Sequence, residues 1–274
     1  MVEAISRTSV GEYHLIRPLP RGPRGERWLA ARQSPRTSHI LHALEFSPGL
    51  DAEAGHSVVE AAVGRSLPHT LDLQQVLTDD AGQVWAVTPF TGDHDGLVTL
   101  YALLRKRGGY LDLDETKRAM EQLLAASVAA HARGAFHGPI AMNEVLVDRA
   151  GSLLIEHYGL GLQLAHAAAA GGSEITVVER REHCDAEIRS VLEIGYQLAT
   201  GLAPDRPLIP ITRILLDADR SWSDLFETGL HAPGFASAAH AASAAASVRA
   251  ARRSVPAKKM SVLGLFSLGL SASI

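Results

Sequence analysis

Cysteine is nearly absent from this chain, which has only Cys184 among its 274 residues. A single thiol excludes an internal disulfide and a zinc site built from several cysteines, and it suits a reducing cytosolic compartment. An excess of positive charge is missing as well, because 26 basic residues stand against 30 acidic ones and the formal net charge is −4. That balance gives no reason to expect nucleic acid or an anionic membrane as the main partner.

Targeting and membrane-spanning patterns are also missing. The first residues, MVEAISRTSVGEYHL, have no basic start followed by an apolar core, so they do not predict a secretory signal peptide. After a basic stretch that includes Lys258 and Lys259, residues 260–274 form an apolar run of about fifteen residues, whereas a span needs about twenty. We expect residues 247–274 to form either a plain tail or the start of a membrane anchor with a cytosolic basic flank.

The most informative stretch that is present covers residues 131–164. Gly134 is placed to end a helix, and the sequence DRAG at 148–151 separates two short apolar runs, VLV and LLI. The pattern therefore predicts a helix end, a tight turn and two short strands joined by a second turn. With 46% hydrophobic residues overall, the chain is also long enough to bury a sizeable core.

Several segments in this region and beyond it resemble the motifs of protein kinases. HGPIAMNEVLV at 137–147 resembles HRDLKPENILV, and IEHYGL at 155–160 resembles IDFGL. EIRSVLEIGYQLATG at 187–201 is similar to the buried helix that kinases place under the catalytic loop. The order and spacing of such matches cover about residues 11–246.

The resemblance implies a bilobal α+β fold of the protein-kinase type. A small N-lobe, residues 1–91, would consist mostly of antiparallel strands with one helix, and residues 92–246 would form a mainly helical C-lobe. The lobes would be joined near residues 90–96.

The loop that covers the ATP phosphates in kinases carries the pattern G-x-G-x-x-G. Its three glycine positions fall here on Pro20, Gly22 and Gly25, between two short apolar runs that predict a hairpin. Proline lacks a backbone N–H, so the resemblance implies a degenerate phosphate cover. Without the resemblance, the same residues would be interpreted as an ordinary surface turn.

The lysine that binds the α- and β-phosphates in kinases follows the pattern A-x-K, which falls here on Ala43, Leu44 and Glu45. The glutamate that usually holds this lysine corresponds to Glu60. Two carboxylates would repel each other, so we expect the helix of Glu60 to stay away from the cleft or Glu60 to find another cation. The simpler alternative is that Glu45 faces solvent on its strand.

Four positions that carry the chemistry of phosphoryl transfer in kinases are also altered. The resemblance puts Pro139 at the catalytic base, Ala141 at the second lysine, Glu144 at the magnesium-binding asparagine and His157 at the D-F-G aspartate. We expect Glu45, Glu144 and Glu156 to give an acidic cleft that repels ATP. Glu144 and His157 could together hold a divalent ion, but we favour simple packing of His157 and expect no metal and no cofactor.

The remaining motif positions lie in the C-lobe. Glu187 stands where kinases use an aspartate to anchor the catalytic loop, and the longer side chain is expected to overreach. Glu174 and Glu179 are both open as the A-P-E glutamate, whose arginine partner is replaced by Gly234. His131 and His137 are expected to be structural. The adjacent residues His183, Cys184 and Asp185 do not predict a metal site or a nucleophile, since neighbours point in different directions.

The resemblance thus implies a pseudokinase, a non-catalytic binding or regulatory module for a partner protein, with an active kinase among the candidate partners. We expect it in the cytoplasm, either free or tethered by its C-terminus. One alternative is an atypical serine/threonine kinase or nucleotide-binding enzyme that uses Glu144, Glu156 and His157 as displaced ligands. A second alternative is a membrane-tethered scaffold. Adenine could enter the cleft through backbone contacts even where ATP does not.

Overall fold

The computed structural model describes residues 9–93, 96–169, 175–205 and 207–249, and it has the two-lobed α+β architecture expected from the sequence. The N-lobe sheet is antiparallel with the order β1-β2-β3-β4-β6-β5. Its strands are β1 (Ser9–Val10), β2 (Tyr13–Gly22), β3 (Gly25–Gln33), β4 (Arg36–Leu44), β5 (Gln75–Thr78) and β6 (Val84–Pro89), and helix α1 (Ala52–Glu60) lies between β4 and β5.

The predicted glycine-loop hairpin is confirmed. Strands β2 and β3 pair up to Gly22 and Gly25, which leaves Pro23 and Arg24 as the turn. Gly25 has φ +139°, and a Cβ on it would lie 1.9 Å from the carbonyl oxygen of Ala43. Only glycine fits this close approach to β4.

The two faces of the N-lobe sheet serve different purposes, because alternate residues of a strand point to opposite sides. On β4, Leu41 packs in an apolar cluster with Tyr13 and Trp85 on the outer face. Ile40, His42 and Leu44 point the other way, and Leu44 packs with Val59 of α1. The strand thereby directs Ile40 and His42 at the C-lobe.

The C-lobe begins with a three-stranded antiparallel sheet and continues with helices. Its strands are β7 (Val98–Thr99), β8 (Val145–Val147) and β9 (Leu153–Ile155), and its helices are α2 (Leu100–Lys106), α3 (Leu113–His131), α4 (Leu160–Ala168), α5 (Val177–Thr200), α6 (Ile211–Ile214), α7 (Arg220–Leu230) and α8 (Ala238–Ser247). The main core forms around α3 and α5. These two helices approach closely at Gly195, where a Cβ would lie 2.1 Å from Met120 Sδ.

Helix α5 is longer than predicted, since it starts ten residues before Glu187, at Val177. Thr176 and Glu179 form a capping box at its start, with the Glu179 carboxylate accepting from the Thr176 N–H at 2.9 Å. Glu179 is therefore a helix-capping residue, and Glu174, the other A-P-E candidate, lies outside the described residues.

The C-lobe also extends further along the chain than residue 246. Val248 is buried, and Lys117 Nζ donates to the carbonyl oxygens of Ala246 and Val248 at 2.8 Å each. Trp222 Nε1 donates to the carbonyl oxygen of Arg249. The predicted tail from residue 250 onward lies outside the described residues, and among those described no helix is long and apolar enough to cross a membrane.

Candidate functional site: the cleft between the lobes

The N-lobe side of the cleft is formed by paired residues on β3 and β4. Arg27 on β3 stands opposite His42 on β4 in the sheet register, so both side chains point at the C-lobe. Both are almost fully buried, with 1% and 3% of their surface exposed. His42 Nε2 shares a hydrogen bond of 2.9 Å with Thr88 Oγ1 on β6, which fixes the imidazole ring.

The C-lobe side consists of Glu156 and His157, which directly follow β9. The guanidinium of Arg27 forms a buried ion pair with the Glu156 carboxylate. His42 Nδ1 lies 3.8 Å from Glu156 Oε1, and the rings of His42 and His157 meet edge to face with centroids 4.3 Å apart. These four side chains, called the cleft cluster below, join the two lobes.

Burial dominates the electrostatics of the cleft cluster. It raises the pKa of Glu156 to about 7, although Arg27 acts in the opposite direction. Burial lowers the pKa of His157 to about 3, with further lowering by the charges of Arg27 and Arg24. The pKa of His42 is also well below its ordinary value because the ring is buried. Both imidazoles are therefore neutral at physiological pH.

An apolar cluster fills the cleft beside these polar groups. Leu19 and Ile40 from the N-lobe pack with Leu146 of β8, and Phe90 and Leu97 from the connection between the lobes pack against them. Ile40 and Leu146 have no exposed surface. The inner face of the sheet thus meets β8 directly, and side chains occupy the place beside the connection through which adenine could have entered.

Glu45 does not lie in the cleft, so the expectation of an acidic cleft containing it was wrong. Strand β4 ends at Leu44, and the Glu45 side chain is 56% exposed and paired with Arg21. The inward-facing polar side chain of β4 is His42, three residues earlier. Within the cleft, the Glu156 carboxylate forms an ion pair with Arg27. The cleft therefore does not contain the group of three carboxylates that we expected.

Glu60 likewise faces outward. It is the last residue of α1, 70% of its side chain is exposed, and its carboxylate lies 3.9 Å from His56 Nδ1 on the same helix. The buried face of α1 is formed by Gly55 and Val59, and Val59 packs with Leu160 of α4. Helix α4 thus covers the side of α1 that is turned toward the cleft.

The tip of the glycine-loop hairpin also reaches the C-lobe. A Cβ on Gly161 in α4 would lie 1.5 Å from Arg24 Nη2, so the Arg24 guanidinium rests directly on the backbone of that helix. Its charge helps to lower the pKa of both His157 and His137. Gly22 and Gly25 shape the hairpin that carries Arg24, whereas Pro20 accepts a 3.5 Å hydrogen bond from Arg27 through its carbonyl oxygen.

The segment that resembles a catalytic loop has no acidic residue at the position of the catalytic base. Pro139 and Ala141 are exposed. Glu144 Oε2 accepts a hydrogen bond of 3.0 Å from the Ala141 N–H, so this carboxylate binds the backbone of the loop that carries it. The charge of Glu144 nevertheless contributes to the raised pKa of Glu156, as expected for two carboxylates that are close together.

Glu187 anchors this loop, contrary to the expectation that it would overreach. One carboxylate oxygen accepts from Ser127 Oγ at 2.6 Å and from the hydroxyl of Tyr158, and the other accepts from the His137 N–H at 2.7 Å. Burial alone would raise the pKa of Glu187, but its donors, including His131, hold it below the ordinary value. The next turn of α5 adds Ser190 Oγ, which accepts from the Ile140 N–H.

The remaining candidate residues have structural surroundings. His137 packs edge to face on Tyr158, and His183 stacks on Phe136 with centroids 5.5 Å apart. Burial raises the pKa of the Cys184 thiol, and the charge of Glu187 adds to this, so the thiol is not activated.

Known proteins that resemble this chain are protein kinases. No family model matches the chain. CBL-interacting protein kinase 4 of Oryza sativa subsp. japonica is 30% identical over 155 residues, which is 55% of this chain and 33% of that protein. The chain thus matches about a third of the length of this curated relative.

Solved structures give broader coverage. The kinase domain of Mycobacterium tuberculosis PknI superposes with a TM-score of 0.63 at 20% identity, over 90% of this chain and 99% of that one. A double mutant of the same kinase domain gives a TM-score of 0.64 at 18% identity, over 87% of this chain and 96% of that one. The chain therefore has the fold of the protein kinase-like superfamily.

The fold family implies a magnesium–nucleotide complex in this cleft, and the residues present do not fit one. Mg²⁺ requires oxygen ligands in near-octahedral geometry. The cleft offers the imidazole of His157 and a single buried carboxylate, Glu156, that is already paired with Arg27.

The sequence analysis missed Arg27 and His42, the two N-lobe members of the cleft cluster. A signal for both was present. Arg27 lies two residues after Gly25, so strand alternation puts its side chain on the face that the glycine loop covers. His42 alternates with the apolar residues Ile40 and Leu44 and shares their inward face.

Proposed function

We propose that this chain is a catalytically inactive protein kinase-like domain that acts as a protein-binding or regulatory module. The observation that carries the proposal is the filled cleft. Arg27 and Glu156 pair where a nucleotide would have to enter, and Leu19, Ile40 and Leu146 close the neighbouring space.

Energetic considerations favour this proposal. A nucleotide would have to break a buried ion pair and leave its charges without their partners, which typically costs about 3–5 kcal/mol. It would also have to separate two apolar surfaces that are in contact. The contacts between a nucleotide and an ordinary site already have to offset the entropy lost on binding. They would not supply the additional free energy needed to open this cleft.

Thermal unfolding with added nucleotide tests the proposal. We expect no change of melting temperature with millimolar ATP and either Mg²⁺ or Mn²⁺, and none with adenosine. A site at tenfold saturation would add about 1.4 kcal/mol to the unfolding free energy. That amount would raise the melting temperature by a few degrees in a domain of this size.

An active protein kinase domain in the same assay is the positive control, and transfer of labelled phosphate from ATP to the chain or to a generic substrate is measured in parallel. Stabilisation by ATP with a metal beyond that by adenosine, or any phosphate transfer above a no-protein blank, would contradict the proposal. Phosphate transfer would make the chain an atypical kinase, and stabilisation by ATP without transfer would make it a nucleotide-binding protein. Stabilisation by adenosine alone would mean that the apolar cluster opens.

The regulatory role requires a partner protein, and an active kinase is the first class to test. Such a partner would bind the outer surface of a lobe, because side chains fill the cleft itself. A pull-down with purified kinases, using a heat-denatured sample of the same chain as the control, would test this part of the proposal separately from nucleotide binding.

A further inference from the structure

Three side chains of the cleft cluster bring potential metal-ligating atoms together. His42, Glu156 and His157 each offer one such atom, and these atoms all lie within 4.8 Å of one another. All three residues are buried, with 3%, 1% and 7% of their surface exposed. His42 belongs to the N-lobe, whereas Glu156 and His157 belong to the C-lobe.

Two of these atoms lack partners. Glu156 Oε1 and His157 Nε2 are buried and have no hydrogen-bond partner among the described residues. A buried polar atom without a partner costs free energy, so each one calls for an explanation. Both atoms belong to residues that, together with His42, form this group of potential ligands.

The hydrogen bond between His42 and Thr88 affects which ring nitrogen of His42 carries the proton. When Nε2 donates its proton to Thr88 Oγ1, His42 Nδ1 carries a lone pair and faces the lone pairs of Glu156 Oε1 at 3.8 Å. Two acceptors facing each other in a buried site repel each other unless a cation lies between them.

The groups behind the ligands also suit a metal. Ligating histidines usually donate their other ring N–H to a partner, and ligating carboxylates are usually hydrogen-bonded through their second oxygen. Thr88 Oγ1 lies 2.9 Å from His42 Nε2 and is placed to accept its N–H, and Arg27 binds the other oxygen of Glu156.

We propose that His42, Glu156 and His157 bind one divalent transition-metal ion, with zinc as the expected type. Two neutral imidazoles and one carboxylate form a common set of zinc ligands that leaves a fourth position for water. Ligand atoms in a tetrahedral zinc site lie about 3.4 Å apart, so the cluster needs side-chain shifts of roughly 1 Å or less. The nearby carboxylate of Glu144 offsets part of the added charge.

Such an ion would connect the two lobes, since β4 supplies one ligand and the residues after β9 supply the other two. It would stabilise the closed cleft. This inference does not rest on the proposed function, because zinc binding and nucleotide binding are measured separately.

The test uses the full chain, stripped with a chelator and then incubated with ZnCl₂ or CoCl₂. We expect one ion per chain after gel filtration, a higher melting temperature, and visible Co²⁺ absorption bands typical of tetrahedral coordination. Variants H42Q and H157N should each lose at least tenfold in affinity, and asparagine suits the left-handed backbone of His157, whose φ is 48°.

Two matched variants serve as controls. His39 is also buried on β4, but it bonds to Thr37 and Gln74 away from the cluster. His56 pairs with Glu60 on the surface and is a plausible adventitious zinc site. H39Q and H56Q should bind the ion as the unaltered chain does.

The proposal is overturned if the stripped chain takes up no ion, if H42Q and H157N bind like the unaltered chain, or if only H56Q loses the ion. Should the two cluster variants fail to fold, X-ray absorption of the zinc-loaded unaltered chain decides. Two imidazoles in the zinc coordination shell support the proposal, and any other number contradicts it.

Discussion

At the scale of single residues, Glu187 joins several parts of the C-lobe through its buried carboxylate. It has no exposed surface, and its two carboxylate oxygens serve the side chains of Ser127, Tyr158 and His131 and the backbone of His137. A buried carboxylate is tolerated only when such donors replace its water. The loop that resembles a catalytic loop is thereby attached to α5, although Pro139 stands at the base position of that motif.

Replacing Glu187 with glutamine should lower the unfolding free energy by about 3–5 kcal/mol at neutral pH, since it breaks a buried charged network. The unaltered chain should lose stability as the pH falls below the ordinary carboxyl value. There the unfolded chain takes up a proton before the folded one, whose Glu187 has a lowered pKa. E187Q should show less of this acid dependence in urea unfolding at several pH values.

The exposed Glu60 provides the control for this experiment. E60Q should leave the unfolding free energy and its pH dependence nearly unchanged, because surface pairs contribute at most about 1 kcal/mol. Equal acid dependence in E187Q and the unaltered chain would show that another carboxylate is responsible.

At the scale of elements, the sequence predicted most helices and strands but not every register. The capping box TVVE at 176–179 is visible in the sequence, so the early start of α5 had a signal that the motif comparison concealed. The register between β2 and β3 was harder to predict. Strands β2 and β3 contain register shifts, between Leu15 and Arg17 and between Leu19 and Gly22, and such irregularities depend on the partner strand.

The contact between the hairpin tip and α4 predicts that the effect of G161A on stability changes sign when the Arg24 side chain is removed. Alanine in place of Gly161 should favour the helix by about 0.5–1 kcal/mol, but the new methyl group would displace Arg24. We therefore expect G161A to be neutral or destabilising in the unaltered chain and stabilising in the R24A background. Urea unfolding of the four proteins gives the coupling energy.

Strictly additive effects of G161A and R24A would contradict this expectation. Gly64 serves as a comparison because a Cβ added there would meet no other atom within 4 Å, although its φ of +74° makes any substitution costly for the backbone alone.

At the scale of the whole molecule, the order of motifs was enough to predict a two-lobed fold. The content of the cleft was not predictable in the same way. Arg27 and Glu156 are 129 residues apart, and nothing local in either segment indicates that they pair. Glu45 fitted the linear A-x-K pattern of the sequence. In the structure, the inward-facing polar side chain of β4 is His42, three residues earlier.

The ion pair between the lobes should account for a measurable share of stability. R27M should lower the unfolding free energy by about 3–5 kcal/mol, because it leaves Glu156 buried without its partner. R27M/E156Q should recover part of that loss in urea unfolding. R21M, which breaks the exposed pair with Glu45, should cost less than about 1 kcal/mol. A similar loss of stability for R21M and R27M would mean that burial does not increase the contribution of an ion pair to the unfolding free energy.

The separation of Arg27 and Glu156 along the chain also has a consequence for synthesis on the ribosome. The arginine is made 129 residues before its partner, which at ordinary elongation speeds is a delay of roughly 6 to 26 s. Until residue 156 has been made, the inward-pointing guanidinium of Arg27 lacks the carboxylate with which it pairs in the folded chain. The buried contact between the lobes therefore forms only after β9 has been synthesised.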